Sequence, residues 1–273
     1  MSRSANRFER DRGPYDPFMT TPTDDATRMA SLRRWNLGVG FAHLAQAIAV
    51  VALSNGFAIP VVAAVQTGPP GTPLVEEATF FDLRFSLAIG FFLLLAAVDH
   101  LLVATVARPW YESNLRRGIN VARWAEYSVS ASVMVVLIAM LTGVTGLYAV
   151  IGLFAANAAM IGFGYLMERV NQNRAEVTWL PFGLGCAVGA VPWVVITIAI
   201  VVSSVKADGV PGFVYAIFVS LFLLFNCFAV NQWLQYRRRG RFADYLYGEQ
   251  VYLVLSLVAK SLLAWQVFAG TLA

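Results

Sequence analysis

The stretch Leu255-Ser-Leu-Val-Ala-Lys260-Ser-Leu-Leu-Ala-Trp265-Gln-Val-Phe-Ala-Gly-Thr-Leu272 decides the architecture. Lys260 is its one ionisable residue. The run it belongs to, about 249–271, is long enough to cross a hydrocarbon core of about 30 Å at about 1.5 Å per residue. In lipid the backbone N–H and C=O groups have no water to bond, so a run of this length closes its own hydrogen bonds as a helix. Barrel strands would be about ten residues long and would alternate in polarity. Six more runs read the same way, at about 35–54, 83–106, 119–142, 146–167, 179–204 and 212–236. The expected fold is an all-α membrane protein, a seven-transmembrane-helix bundle spanning 35–273 behind a polar tail at 1–34.

Composition agrees, with 58% hydrophobic and 13% charged residues against about 25% charged in an average soluble domain. Of 20 basic residues only Lys206 and Lys260 are lysines, and the formal net charge is +4. The arginines gather in the tail (Arg3 to Arg34) and in alternate loops: Arg108, Arg116 and Arg117, then Arg169 and Arg174, then Arg237 to Arg241. The other side carries Arg84 and Lys206. That asymmetry predicts a cytoplasmic N-terminus and an extracellular C-terminus in the cell membrane, and it reports orientation, not nucleic-acid binding. The tail lacks the apolar core of a signal peptide and reads as disordered. The loop 55–82 lies outside, and its Gly68-Pro69-Pro70-Gly71 cluster allows either a β-hairpin or a flexible connection. Cys186 and Cys227 fall within spans, where they read as small apolar residues.

An ionisable side chain inside a span costs about 2.5 kcal/mol or more, so each one calls for a partner or a function. Lys260 lies about twelve residues into its span, roughly 18 Å deep, beyond comfortable snorkelling range. It is either paired to a buried acid for packing or a desolvated amine able to form a Schiff base with a carbonyl ligand. Glu126, about seven residues into the third span, is the acid that can reach it, and Ser256 lies one turn below Lys260 on the same face. Arg123 shares the Glu126 face and reads equally as an interfacial anchor. His43, Gln46, Asp99 and His100 come to a similar depth and suggest a hydrated polar pocket on the cytoplasmic side of Lys260. Asp99 and His100 point about 100° apart, so only one is expected to face its centre. Nearby, Asn157, Met160 and Gly164 share one face of span four, Phe225 and Gln232 share one of span six, and Trp265 follows Lys260 by five. These positions suit either ordinary helix packing or a slot for a long, flat, apolar ligand.

The strings RWAEYS (Arg123 to Ser128), NAAMIGFGYL (Asn157 to Leu166), VPGFVY (Val210 to Tyr215) and the stretch quoted first resemble heliorhodopsin from about Arg34 to the C-terminus. The resemblance implies all-trans-retinal bound to Lys260, with Glu126 as Schiff-base counterion and Ser256 as a hydrogen-bonding neighbour. It implies chromophore-pocket roles for Asn157, Met160, Gly164, Phe225, Gln232 and Trp265, and a pair of cavity histidines in His43 and His100. It also implies inverted topology, an extracellular β-hairpin and a homodimer. Asp99 departs from the pattern, which has an apolar or aromatic residue there; an added acid would alter the proton-accepting network.

The function expected is light sensing: retinal isomerises, a proton moves into the polar pocket and returns, and a slow photocycle signals to a cytoplasmic partner without net ion pumping. The alternative is a light-driven or light-gated proton or ion transporter. A ligand-gated receptor or non-retinal transporter would have to explain Lys260 without a Schiff base, and an enzyme is the least expected class, since no nucleophile, metal or phosphate motif is present.

Overall fold

The computed structural model describes residues 22–72 and 76–273. Its helices α1 (Pro22–Leu53), α2 (Phe85–Ala104), α4 (Val121–Leu141), α5 (Leu147–Asn171), α6 (Leu180–Lys206), α7 (Gly212–Tyr236) and α8 (Tyr245–Val267) form a bundle, with a short α3 (Arg108–Leu115) between α2 and α4. Among the described residues, seven helices are long and apolar enough to cross a membrane. The outer loop is an antiparallel hairpin of β1 (Ala58–Val65) and β2 (Glu76–Arg84), with a register shift between Val61 and Val62. Val61 is buried, and the Val62 N–H donates to Thr145 C=O at 3.0 Å, which docks the hairpin on the α4–α5 turn. The chain end joins this face, where Asn55 N–H donates to Leu272 C=O at 2.9 Å.

The first helix starts well before the expected boundary at 35. Pro22 sits at its first position, where a missing N–H costs nothing, and Asp25 near the N-terminus suits the helix dipole. Met29 and Leu32 are buried, and ion pairs from Asp25 to Arg116 and from Arg28 to Asp244 hold the extension to its neighbours. Residues 22–34 are therefore helix, not disordered tail; the expectation for 1–21 lies outside the described residues. Lys206, expected in a loop, is the last residue of α6. Polar side chains cap two of the functional helices: Asn120 accepts from Arg123 N–H at 3.1 Å to start α4, and Asp244 accepts from Leu246 N–H at 3.0 Å to start α8.

The interior is layered along the bundle axis. Toward the hairpin, a large apolar core joins Phe85, Phe92, Leu137, Ile196, Leu263 and Val267. Toward the N-terminal end of α1, a smaller one joins Met29, Leu32, Tyr111, Leu115 and Leu246. The buried acids and their cations lie between the two. Cys186 and Cys227 are free and exposed, and Cys186 borders a large cavity that Lys260 also lines.

Candidate functional site

Glu249, Tyr252, Ser256 and Lys260 follow one another at i, i+3, i+7 and i+11, so α8 presents them on one face. Lys260 Nζ donates to Glu126 Oε2 and to Ser256 Oγ, each at 2.9 Å, and lies 4.8 Å from the centre of the Tyr127 ring. Both members of the ion pair are buried. An amine held this way has one carboxylate and an aromatic face as its electrostatic partners in place of bulk water.

Lys260 closes one end of a cavity of about 820 Å³, open mouth included. Ser256, Met160, Gly164, Phe225 and Gln232 line it as the sequence suggests, joined by Trp124, Tyr127, Phe228 and Tyr252. Gly164 permits the shape, because a Cβ there would overlap the Trp124 ring. Gln232 spans the wall by donating to Gly164 C=O at 3.1 Å. Trp193 packs edge-on against Phe225 from behind, at 5.4 Å. Three expected groups lie elsewhere. Trp265 is 39% exposed and donates to Gln46 Oε1 at 3.1 Å, because five residues beyond Lys260 is about 140° around the helix. Gln46 is thereby committed to the α1–α8 contact and is not in the polar pocket. Asn157 is buried but donates to Ser132 Oγ at 3.1 Å, outside the cavity lining.

On the N-terminal side of Lys260, His43 and His100 stack with ring centres 5.9 Å apart, and His100 Nδ1 pairs with Asn36 Oδ1 at 2.9 Å. Both His43 nitrogens, His100 Nε2, Glu126 Oε1 and Ser130 Oγ are buried without a protein partner. So many unmatched polar atoms mark a place for water. A second cavity beside them is bordered by Asp99, His100, Tyr111, Arg123 and Glu249. Asp99 and His100 thus both face it, although only one was expected to: the space extends across the arc between their directions.

Arg123 is no interfacial anchor. It is buried, pairs with Glu168 Oε1 and lies 3.1 Å from Glu249 Oε1, and its guanidinium stacks 3.7 Å over Tyr252 and 4.2 Å over Trp124. Glu168 Oε2 accepts from Trp124 Nε1 at 2.6 Å and Asn120 N–H at 2.9 Å; Glu249 Oε2 accepts from Asn120 Nδ2 at 2.6 Å. Sequence reading overlooked both acids because they fall at or beyond the span ends it drew. The face shared by Glu249 and Lys260 is the signal that could have found one of them. Tyr111, on α3, is buried with them, and that burial pushes its hydroxyl well above the ordinary tyrosine range.

A seven-helix membrane bundle with a buried, ion-paired lysine on its last helix and an aromatic cavity leading to it is, in class, a retinal rhodopsin. The fold is shared with the crystal structure of a light-driven proton pump, LR (Mac), from Leptosphaeria maculans: the match covers 92% of this chain and 95% of that one, with a TM-score of 0.58. At 12% identity that likeness is one of fold. The chain belongs to the heliorhodopsin family, whose model matches residues 32–272. No curated protein matches it. The site fits the retinal that the family implies, since an apolar, aromatic slot ends at a primary amine whose charge is already balanced.

Proposed function

We propose that the protein is a light sensor that holds all-trans-retinal as a protonated Schiff base on Lys260, with Glu126 as counterion, and keeps the light-released proton inside the protein. The Lys260–Glu126 pair at the closed end of the aromatic cavity is the observation that carries this reading. Bound there, retinal supplies visible absorption and a light-driven isomerisation. The chain supplies the rest. Lys260 gives the attachment nitrogen; Glu126, as the charged acceptor, outcompetes neutral Ser256 for a proton on that nitrogen. Trp124, Tyr127 and Phe228 limit the ligand to one orientation. His43, His100 and Asp99, all within electrostatic range of Lys260, offer acceptors toward the N-terminal side. Toward the hairpin, Ala259, Leu263, Ala264 and Val267 join an apolar core that, among the described residues, contains no carboxylate to take the proton. Retention in place of transport follows from that asymmetry.

The arginine distribution supports a cytoplasmic N-terminus, and in that orientation Arg237 to Arg241 would be open to a cytoplasmic signalling partner; the assembly proposed is a homodimer in the cell membrane. The Glu126→Gln protein, recorded in acid where the Schiff base keeps its proton, is expected to absorb at longer wavelength, because the lost charge had stabilised the ground state more than the delocalised excited state. An unshifted band would remove Glu126 from the counterion role. Illuminated, unbuffered cells expressing the protein should show no pH change that a protonophore abolishes; such a change would make the protein a pump.

A further inference from the structure

Glu168 and Glu249 share one cation, yet their surroundings differ. Glu168 takes hydrogen bonds from Arg123, Trp124 Nε1, Asn120 N–H and the Tyr245 hydroxyl. Glu249 takes one, from Asn120 Nδ2; its Oε1 lies 3.1 Å from Arg123 Nη2 without accepting a hydrogen bond from it. Both carboxyls are buried, and one guanidinium balances one negative charge. Both Glu168 oxygens are taken up by donors, and Glu249 has an oxygen still open.

Glu249 lines the second cavity together with Asp99 and His100. Tyr252 Oη, Arg123 Nη1 and Arg123 Nε are also buried without a protein partner, and their side chains border the same space. The charged or titratable groups around Glu249 are Arg123 and Tyr127 from α4, Glu168 from α5, Tyr245 and Tyr252 from α8, Tyr111 from α3, and Asp99 and His100 from α2. The space among these groups is small, with room for about one water molecule to link them.

We propose that Glu249 is a second proton-accepting site, reached from Asp99 and His100 across this cavity, while Arg123 remains paired with Glu168. The inference rests on the sensing reading above. In the forward step, a proton leaving the Lys260 nitrogen is taken up on the Asp99–His100 wall, and the cavity passes a proton on to Glu249. An O–H bond forms at Glu249 Oε1, and the carboxylate becomes a carboxylic acid. In recovery that bond breaks and the proton returns the same way, so nothing leaves the protein and no oxidant or co-reactant is needed.

The test is light-minus-dark infrared spectroscopy of the retinal-loaded protein in membranes. A visible band in the unaltered protein is recorded first; its absence would remove the sensing reading itself, before this inference is reached. With that band present, a gain in carboxylic C=O absorption during the photocycle is expected, absent from Glu249→Gln and displaced in frequency in Glu249→Asp. Persistence of an unchanged C=O gain in Glu249→Gln, or its loss only in Asp99→Asn, would overturn the proposal. Retinal-free protein gives an independent reading: an infrared pH titration should contain one buried carboxyl that is missing from Glu249→Gln, and identical titrations in the two proteins would count against it.

Discussion

Purified with all-trans-retinal, the Lys260→Ala protein is expected to show no visible band, where the unaltered protein shows one. The loss should be complete because no other amine can take over. Lys206 is the other lysine of the chain, and it stands exposed at the end of α6 on the hairpin side. Folding has to be separated from chemistry, since removing the cation leaves Glu126 buried and unpaired, a change worth about 3–5 kcal/mol. The double variant Lys260→Met, Glu126→Gln removes both charges together, and so should fold better than the single variant while still lacking the band. A preformed alkylamine Schiff base of retinal, supplied to Lys260→Ala, has room where the lysine stem was. It should restore visible absorption if the cavity, and not only the amine, recognises the chromophore. A visible band that survives in Lys260→Ala without added amine would remove Lys260 from the attachment role.

The fold was legible because lipid leaves a chain few options: a long uncharged run must be a helix, and the runs drawn from the sequence match the helices to within a few residues, apart from α1. The extension of α1 was hidden because its supports are tertiary. Asp25 and Arg28 read as tail charges until Arg116 and Asp244 are brought beside them. Lys260, Glu126 and Ser256 were found by depth arithmetic alone, because a charge in lipid is conspicuous and the long stems of lysine and glutamate tolerate errors in level. Direction around the helix is less forgiving. Trp265 sits near Lys260 along the axis but faces Gln46, and Gln46 was drawn into the wrong group by the same reasoning from depth. Glu168 and Glu249 went unnoticed for the opposite reason: near a span end an acid looks solvated, and only tertiary packing brings Asn120, Arg123, Trp124 and Tyr245 around them.

Arg123→Met is expected to lower stability by about 3–5 kcal/mol, the cost of leaving buried acids without their cation. The expectation turns on burial. Arg123 and both carboxyls have side-chain exposures of 6% or less, whereas the Arg28–Asp244 pair has 25% and 34%. Cutting the latter with Arg28→Ala should cost about 1 kcal/mol or less, since water and salt already screen it. Methionine keeps most of the stem that packs against Trp124 and Tyr252, so the larger loss measures charge and not a cavity. Adding Glu168→Gln to Arg123→Met should recover part of the stability, and adding Glu249→Gln as well should recover more, because each step removes a carboxylate that has lost its partner. Such non-additivity is the mark of groups acting through one another. The measurement is the thermal loss of the visible band in detergent, followed for the whole series under one set of conditions. A melting temperature for Arg123→Met no lower than that of Arg28→Ala would mean that the cluster is hydrated, and that Arg123 serves only to orient Trp124 and Tyr252 beside the chromophore cavity.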